Sequence, residues 1–341
     1  MNSFGTLIRL ATFGESHGPA MGGILDGMPP LVHIDMAGIQ TELKRRRPGN
    51  SFLTSQRKEP DEVEILSGIN SDGITLGSPI GFIIRNHDAR SSDYADYADI
   101  YRPNHADFTY QKKYGIREAA GGGRSSARET VSWVVAGALC RQWLDKFGIS
   151  IRATFIETNS VEDVAKRKDS TGGIVACRVK GMPWGIGEPV FDKLHARLAA
   201  AMMTINAAKG FEYGDGFKSA YMTGSESADI FNPFSDSDNS ASNKMSVCAS
   251  NHSGGIQGGI SNGMPIEFKV YFKPTPTIGL EQPTVNSAGQ PAVTKPAGRH
   301  DPCVAIRAVP VVEAMTALVL ADMLRLALSY PDYAIKDFTS I

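Results

Sequence analysis

The sequence lacks the features of a membrane or secreted protein. It contains no run of roughly 18 consecutive apolar residues, the length that a membrane-spanning helix requires. The N-terminal segment has no charged region followed by an apolar block, so we expect no signal peptide. These absences predict a soluble cytoplasmic protein that acts without a membrane partner.

Cysteine is scarce, and neither sign of charge is in excess. The formal net charge is −1, from 35 basic and 36 acidic side chains, so no global positive field favours nucleic acid. The four cysteines form no CxxC pair, which is typical of reduced, buried thiols; we expect neither disulfides nor a bound metal. They are Cys140, Cys177, Cys248 and Cys303.

What the sequence does contain is a mixture of strand and helix patterns without a regular β-α-β rhythm. This mixture and the absence of any evident linker predict one large α/β (α+β) domain over residues 1–341. The Ser-, Asn- and Asp-rich stretch at about 225–250 predicts a long mobile loop, either a lid over a site or a surface excursion. Strand-like runs occur at Pro79–Arg85, Ile149–Glu157, Gly173–Val179 and Ile266–Phe272.

Helical periodicity is clearest in three segments. The first follows three glycines, and Ser126 and Glu129 have the spacing of a capping box at its start. The second shows an apolar stripe formed by Phe191, Leu194, Leu198 and Met202. The third runs from about Pro310 to Ser329, with the proline at a plausible first helical position.

The strongest local signal is the sequence GGGRSSAR at residues 121–128, here called the glycine-rich loop. A glycine-rich turn that opens a helix presents backbone N–H groups and the positive end of the helix dipole to an anion. Arg124 and Arg128 add charged donors. The pattern is neither a Walker A loop nor a dinucleotide-binding fingerprint. It predicts a site for a small anion; the alternative is that the glycines allow close packing of the backbone.

Three further motifs each allow a structural and a functional interpretation. The basic run 44–49 (KRRRPG) either complements the end of a short amphipathic helix or binds phosphate or carboxylate. The histidine in GESHG (14–18) is a surface-turn residue or a group that titrates near neutral pH. In RPNHAD (102–107), His105 lies two residues from a carboxylate, which suits a structural histidine as well as a proton donor.

A last motif, GRHDPC at 298–303, places a cation, an imidazole and a carboxylate side by side just before the C-terminal helix. It forms either a local ion pair or part of a site. Together with the preceding segments, clustered arginines and accessible histidines suit a small, multiply anionic phosphorylated substrate better than a charged polymer.

In this order the motifs resemble the chorismate synthase family. The segments GESHG, GGGRSSARET and GRHDPCVAIRAVP look like its three signature regions, with RRRPG, RPNHADFTY, INAAKG and SNHSGGIQGG between them. The resemblance extends over about residues 4–328. It implies a β-α-β sandwich, a homotetramer, and the last common step of the shikimate pathway toward aromatic amino acids.

The implied reaction is an anti 1,4-elimination of phosphate from 5-enolpyruvylshikimate 3-phosphate to give chorismate. It requires reduced FMN although there is no net redox change, and NADPH enters at most as an indirect reductant. The alternative interpretation is a flavin-dependent oxidoreductase acting on a phosphorylated carboxylate, with hydride transfer to the substrate.

The resemblance also assigns residue roles. His17 would protonate the flavin, His105 would donate a proton to the leaving phosphate, and Asp301 would assist removal of the ring proton, with hydrogen-bond support from Ser16 and Ser126. The substrate would be bound by Arg46, Arg47 and Arg128. The FMN contacts would be Arg124, Ser125, Ser126, Asn206, Ala207, Gly258, Lys273, Pro274, Thr275, Pro276, Thr277 and Arg299.

Two departures from the family pattern are visible. Phe52 stands where many members have another arginine after RRRPG, which puts one anion contact in doubt. The stretch between residues 156 and 172 is short, and the additional helix of the family is reduced there to VEDVAKRKD.

Overall fold

The computed structural model describes residues 1–47, 60–87, 99–119, 121–233, 247–294 and 301–330. Its strands are β1 (Ser3–Phe4), β2 (Arg9–Gly14), β3 (Ala20–Asp26), β4 (Val63–Ile65), β5 (Ile80–Arg85), β6 (Ser150–Ile156), β7 (Gly173–Lys180), β8 (Ala208–Tyr213), β9 (Ile256–Gln257), β10 (Ile260–Ser261), β11 (Ile266–Phe272), β12 (Gln282–Val285) and β13 (Pro291–Thr294). Its α-helices are α1 (Met36–Arg46), α2 (Asp107–Tyr114), α3 (Thr130–Leu144), α4 (Val161–Lys166), α5 (Leu194–Met203) and α6 (Ala305–Ala327).

Two antiparallel sheets form the outer layers. One has the strand order β1-β2-β3-β5-β4 and the other β6-β7-β11-β8, while β9–β10 and β12–β13 are separate hairpins. Apolar residues alternate along the strands, so one face of each sheet points into the core. On β5 the buried residues are Ile80, Phe82 and Ile84, and on β11 they are Ile266, Phe268 and Val270.

Helices α3 and α6 lie between the sheets. Helix α3 packs against β2, β3 and β5, helix α6 packs against β6 and β7, and the two helices pack on each other. Both are apolar on nearly every face, as expected for helices covered from both sides. The result is a sheet–helix–sheet arrangement, which confirms the predicted α+β fold of the β-α-β sandwich type. In the described part of the chain, no helix combines the length and the apolar character needed to cross a bilayer.

The four predicted strands are confirmed within one residue at most ends, and Ile266–Phe272 is reproduced in full. Two details of the predicted helices are wrong. Phe191 precedes α5 and is 85% exposed, so it does not belong to the buried stripe. The prediction placed Pro310 at the start of the last helix. In the structure α6 begins five residues earlier, at Ala305, so Pro310 lies inside the helix. The reduced segment VEDVAKRKD forms the six-residue helix α4.

The capping box is half formed. The Ser126 side chain accepts a hydrogen bond from the backbone N–H of Arg128 at 3.3 Å, as predicted for a cap. The Glu129 carboxylate instead contacts Thr12 and Arg124, and a short 3₁₀ turn over residues 127–129 precedes α3. Long-range partners thus replace the local contact that the spacing predicts.

The described ends of the 225–250 stretch are joined to each other. The backbone N–H of Asn232 donates to the carbonyl of Val247, and the N–H of Ala249 donates to the carbonyl of Ile230. The remaining residues, 234–246, lie outside the described part, and mobility of this loop stays a prediction.

Helices α3 and α6 are in close contact at Gly137. A Cβ atom placed on this glycine would lie 2.4 Å from both Cα and Cβ of Ala314. Real Cβ atoms do not tolerate such distances, so the absence of a side chain sets the spacing of the two central helices.

We expect Gly137→Ala to lower the free energy of unfolding by about 1–3 kcal/mol, the usual cost of overpacking a core. Helix propensity alone predicts the opposite sign, a gain of about 1 kcal/mol. Urea denaturation followed by circular dichroism measures the difference. Gly224→Ala is the control, because a Cβ there meets nothing within 4 Å. A Gly137→Ala protein as stable as the wild type would contradict the close helix contact.

Candidate active site

The turn between β2 and β3 carries His17. Strand β2 ends at Gly14, whose φ of 100° and whose approach to the carbonyl of Ala20 leave no room for a side chain. Within the turn, Gly18 donates its N–H to the carbonyl of Glu15 at 3.0 Å. The buried hydroxyl of Ser16 lies 3.0 Å from Nδ1 of His17. The hairpin therefore holds the imidazole in a defined position rather than on a loose surface turn.

The glycine-rich loop contacts both predicted catalytic histidines. Gly121 and Gly122 have φ values of 68° and 83°, in the left-handed region. A Cβ on Gly121 would lie 2.1 Å from Cε1 of His17, and one on Gly122 would lie 3.1 Å from Cε1 of His105. Two imidazoles therefore pack against consecutive glycines, and a side chain at either position would displace them.

His105 is held by a buried ion pair. Its Nδ1 lies 2.9 Å from a carboxylate oxygen of Asp107, and Asp107 also accepts two hydrogen bonds of 2.8 Å from Arg102. Nδ1 also lies 3.0 Å from Nη2 of Arg102, so both partners contact this nitrogen and Nε2 lies on the side of the ring that faces Gly122. The contacts orient the ring and determine which nitrogen faces the loop.

Burial and charge shift the pKa values of this pair. Burial lowers the pKa of His105 below its ordinary value, Arg102 and Lys273 act in the same direction, and Asp107 opposes them. Burial disfavours the charged form of Asp107, but hydrogen bonds from Arg102 and His105 outweigh it and hold the pKa of Asp107 well below its usual range. Asp107 is thus a fixed anion beside a largely neutral ring at pH 7.

Four of the predicted cofactor residues are connected by hydrogen bonds. The side-chain amide of Asn206 donates to the carbonyl of Ser125 at 2.9 Å, and the N–H of Lys273 donates to the carbonyl of Ala207 at 2.9 Å. The ammonium group of Lys273 donates to the carbonyl of Asn104 at 2.7 Å, next to His105. These contacts bring the segments around residues 125, 206 and 273 close to the segment that carries His105.

Two polar atoms near these segments are buried and lack a hydrogen-bond partner among the described residues. They are Oδ1 of Asn206 and Oγ1 of Thr275. A buried polar atom without a partner costs about 1–3 kcal/mol, so such atoms indicate a place where a ligand donates. The neighbouring Pro274 is exposed, Pro276 is half-buried and Thr277 is buried.

Arg124 borders a cavity of about 810 Å³. Its guanidinium donates to Glu129 at 2.7 Å and to the hydroxyl of Thr12 at 2.8 Å. The cavity is also lined by Gly122 and Gly123. Burial raises the pKa of Glu129, an effect that Thr12 and Arg124 partly offset. The glycine-rich loop thus lines an open cavity large enough for a small ligand.

Arg46 and Arg128 share one buried carboxylate. Nη1 of Arg46 lies 3.2 Å from Asp61, which is fully buried, and Nη1 of Arg128 donates to the other oxygen of Asp61. Arg46 also donates to Thr130 and to the carbonyl of Ala127, at 3.1 and 2.9 Å. Burial lowers the pKa of Arg46 to about 9, which leaves it charged at neutral pH. Arg46 therefore stabilises the start of α3, and its contact with substrate stays a prediction.

Arg47 immediately follows α1, and its backbone N–H closes the helix on the carbonyl of Leu43. The helix-end interpretation of the basic run is thus present in the structure, together with the ion pair of Arg46. The substrate contact assigned to Arg47 stays a prediction. Phe52 lies outside the described residues.

Asp301 forms an ion pair with Arg307 at 2.6 Å. Arg307 also donates to the carbonyl of Arg46 at 3.1 Å, and it lines a small cavity together with Arg46 and Asn206. Arg307, on α6, lies outside the GRHDPC motif; Arg299 and His300 lie outside the described residues, so the local ion pair predicted within that motif stays a prediction. Through Arg307, Asp301 is linked to Arg46, which contacts the glycine-rich loop at the carbonyl of Ala127.

Gly258 lies on a two-stranded hairpin that is separate from the two large sheets. It lies at the exposed tip of the β9–β10 hairpin with a φ of 62°, and the next residue, Gly259, packs against Glu188 and Lys193. The carbonyl of Gly259 accepts a hydrogen bond from the N–H of Leu194 at 2.8 Å, so Gly258 lies next to the start of α5. Its role as a flavin contact stays a prediction.

Sequence reasoning missed Asp61, Asn86 and Arg307. Asp61 and Asn86 flank strands β4 and β5, and both contact Arg128. Polar residues at strand ends were the available signal, since such ends commonly carry functional side chains. Arg307 lies six residues after Asp301, within the motif region GRHDPCVAIRAVP that carries the resemblance.

Comparison with known proteins shows the family of the chain. The family profile described as chorismate synthase matches residues 8–162 and 156–325. A chorismate synthase from Parabacteroides distasonis is 49% identical, covering 95% of this chain and 98% of the relative. One from Phocaeicola vulgatus is 50% identical, covering 94% and 97%.

A solved structure described as a crystal structure of chorismate synthase is similar throughout. It superposes with a TM-score of 0.74 at 29% identity, covering 96% of this chain and 94% of that one. Family, fold and full-length coverage agree. The chain therefore belongs to the chorismate synthase family.

Proposed function

We propose that the chain converts 5-enolpyruvylshikimate 3-phosphate to chorismate by anti 1,4-elimination of phosphate, a carbon–oxygen lyase reaction that requires reduced FMN without net redox change. The observation that carries this proposal is the packing of His17 and His105 against consecutive glycines of one loop. That loop continues directly into Arg124, Ser125 and Arg128.

The charges of the site suit this substrate, which bears two carboxylates and a phosphate. Arg124, Arg128 and Lys273 are cations at or next to the loop. Charge-assisted hydrogen bonds from guanidinium groups are the strongest contacts available for such anions.

His105 is suited to protonate the leaving phosphate. In the free protein its pKa is lowered, mainly by burial, so the ring is largely neutral at pH 7. A phosphate dianion beside the ring would raise that pKa, and the ring would take up a proton when substrate binds. Asp107 keeps the ring oriented during this change because its own carboxylate stays ionised.

His17 and Asp301 have supporting roles in the proposal. Ser16 fixes the ring of His17, which we assign to proton transfer at the flavin. Arg307 orients the carboxylate of Asp301, which we assign to removal of the ring proton. Ser126 caps the turn that presents Arg128.

The residues near the loop fit a flavin mononucleotide. Reduced FMN, when bound, supplies an electron-rich ring that assists the departure of phosphate and ends in its starting oxidation state. The acceptors Asn206 Oδ1 and Thr275 Oγ1 lack donors within the described chain, and FMN offers N–H and hydroxyl donors. Lys273 supplies a positive charge suited to a phosphate group. Any NADPH would act only as an indirect reductant.

A homotetramer belongs to the same proposal. Large apolar side chains are exposed at Phe191, Phe217 and Tyr221, with exposed fractions of 85%, 67% and 90%. Exposed apolar surface of this kind is typical of regions that pack against another chain, which supports self-association.

The reaction class is tested by stoichiometry. Enzyme, reduced FMN and 5-enolpyruvylshikimate 3-phosphate are mixed without oxygen, and phosphate release and flavin absorbance are followed together. We expect many product molecules per flavin with no flavin oxidation, because the elimination is redox-neutral. One oxidised flavin per product would instead identify an oxidoreductase with hydride transfer.

We expect His105→Ala to reduce turnover by about 10²- to 10⁴-fold, the usual loss when a general acid is removed. Substrate binding should change little, because the cations remain. Phosphate release and substrate affinity are measured separately. His33→Ala, an exposed histidine on another turn, is the control and should keep full activity. Normal turnover of His105→Ala would exclude His105 as the proton donor.

Arg124→Ala should weaken FMN or substrate binding about 10- to 100-fold, since a hydrogen bond to a charged group contributes about 1.5–3 kcal/mol. Flavin fluorescence titration measures FMN affinity, and substrate affinity is measured in parallel. Arg9→Ala serves as the control, because it removes an exposed ion pair between Arg9 on β2 and Asp26 on β3. Unchanged affinity for both ligands would remove Arg124 from the site.

A further inference from the structure

Asn86 lies immediately after β5 and fastens the turn that carries His17. Its side-chain amide donates to the carbonyl of Gly18 at 2.7 Å and lies 3.3 Å from the carbonyl of Glu15. Its backbone N–H donates to the carbonyl of Pro19 at 3.1 Å. The end of one strand thereby holds the neighbouring hairpin turn at three points.

The other atom of the same amide holds Arg128. Oδ1 of Asn86 accepts from Nε and Nη2 of Arg128 at 3.1 and 3.0 Å. Nη1 of Arg128 donates to the buried carboxylate of Asp61. Because the guanidinium is planar, three contacts on three of its nitrogens fix its orientation.

The chemistry of an amide suits this double contact. A side-chain amide presents a donor and an acceptor on one rigid plane, whereas a carboxylate only accepts when ionised. A carboxylate at position 86 would keep the contact to Arg128 and would face the turn carbonyls without a donor. Asp61 has a φ of 49°, an uncommon conformation for a residue other than glycine, which persists where surrounding contacts determine it.

We propose that Asn86 is a positioning residue whose amide couples the orientation of Arg128 to the turn that carries His17. The inference rests on the proposed function, in which Arg128 binds substrate and His17 transfers a proton. Asn86 touches neither reactant in this scheme. It sets the position of a substrate-binding cation relative to a catalytic ring.

Two substitutions separate the halves of the contact. Asn86→Asp keeps the acceptor for Arg128 and loses the donor to the turn. We expect KM within about threefold of the wild type and kcat lower by about 10- to 100-fold, since small misplacements of a catalytic group have effects of that size. Asn86→Ala loses both contacts, and we expect KM to rise about tenfold in addition. Asn86→Asp is isosteric and stays measurable if Asn86→Ala folds poorly.

A readout without ligand tests the coupling directly. In ¹H–¹³C spectra of the free protein, the ring resonances of His17, assigned with His17→Asn, should shift in Asn86→Ala. Asn70→Asp and Asn70→Ala are the matched controls. The Asn70 side chain, like that of Asn86, hydrogen-bonds to the backbone of a turn. Its Oδ1 accepts from the backbone N–H groups of Asp72 and Ile74, in a different turn. The controls should leave KM, kcat and the His17 resonances unchanged.

The outcomes are distinguishable. Wild-type kinetics in both Asn86 variants, or unshifted His17 resonances in Asn86→Ala, would overturn the positioning role. Equal losses of kcat and equal changes of KM in Asn86→Asp and Asn86→Ala would also overturn it, because the two contacts would then not be separable. Failure of the wild-type protein to release phosphate would reject the proposed function, while the resonances would still decide whether Asn86 holds the turn.

Discussion

The contact of two imidazole rings with adjacent left-handed glycines is the constraint on which the candidate site depends. His17 comes from a hairpin of the first sheet, and His105 comes from the segment before α2. Both reach the same loop only because Gly121 and Gly122 have no side chains. The loop in turn leads through Ser126 into the central helix α3, so the position of the histidines is tied to the core of the sandwich.

The arginines of the candidate site are already paired with carboxylates. A substrate anion would therefore meet guanidinium groups whose orientation is set in advance, at little additional ordering cost. The pairs are Arg46 and Arg128 with Asp61, Arg124 with Glu129, Arg102 with Asp107, and Arg307 with Asp301.

Sequence patterns predicted what depends on local periodicity. Strand β11 follows from strict alternation, and α3 follows from its apolar repeat after the glycines. The pairing of Asp61 with Arg128 joins residues 67 positions apart, which no local pattern encodes. Element types could therefore be predicted from periodicity, and the sandwich fold was implied by the resemblance that the motifs carry. The polar contacts that align the motifs depend on tertiary packing.

The proline inside α6 has a mechanical consequence. Pro310 offers no N–H to the carbonyl of Ile306, so the first turns of α6 are joined to the rest of the helix by one bond fewer than usual. Those turns carry Arg307, and Arg307 holds Asp301. A small bend at this point would shift the carboxylate and its cation as a unit, while the remainder of the helix stays clamped between the sheets.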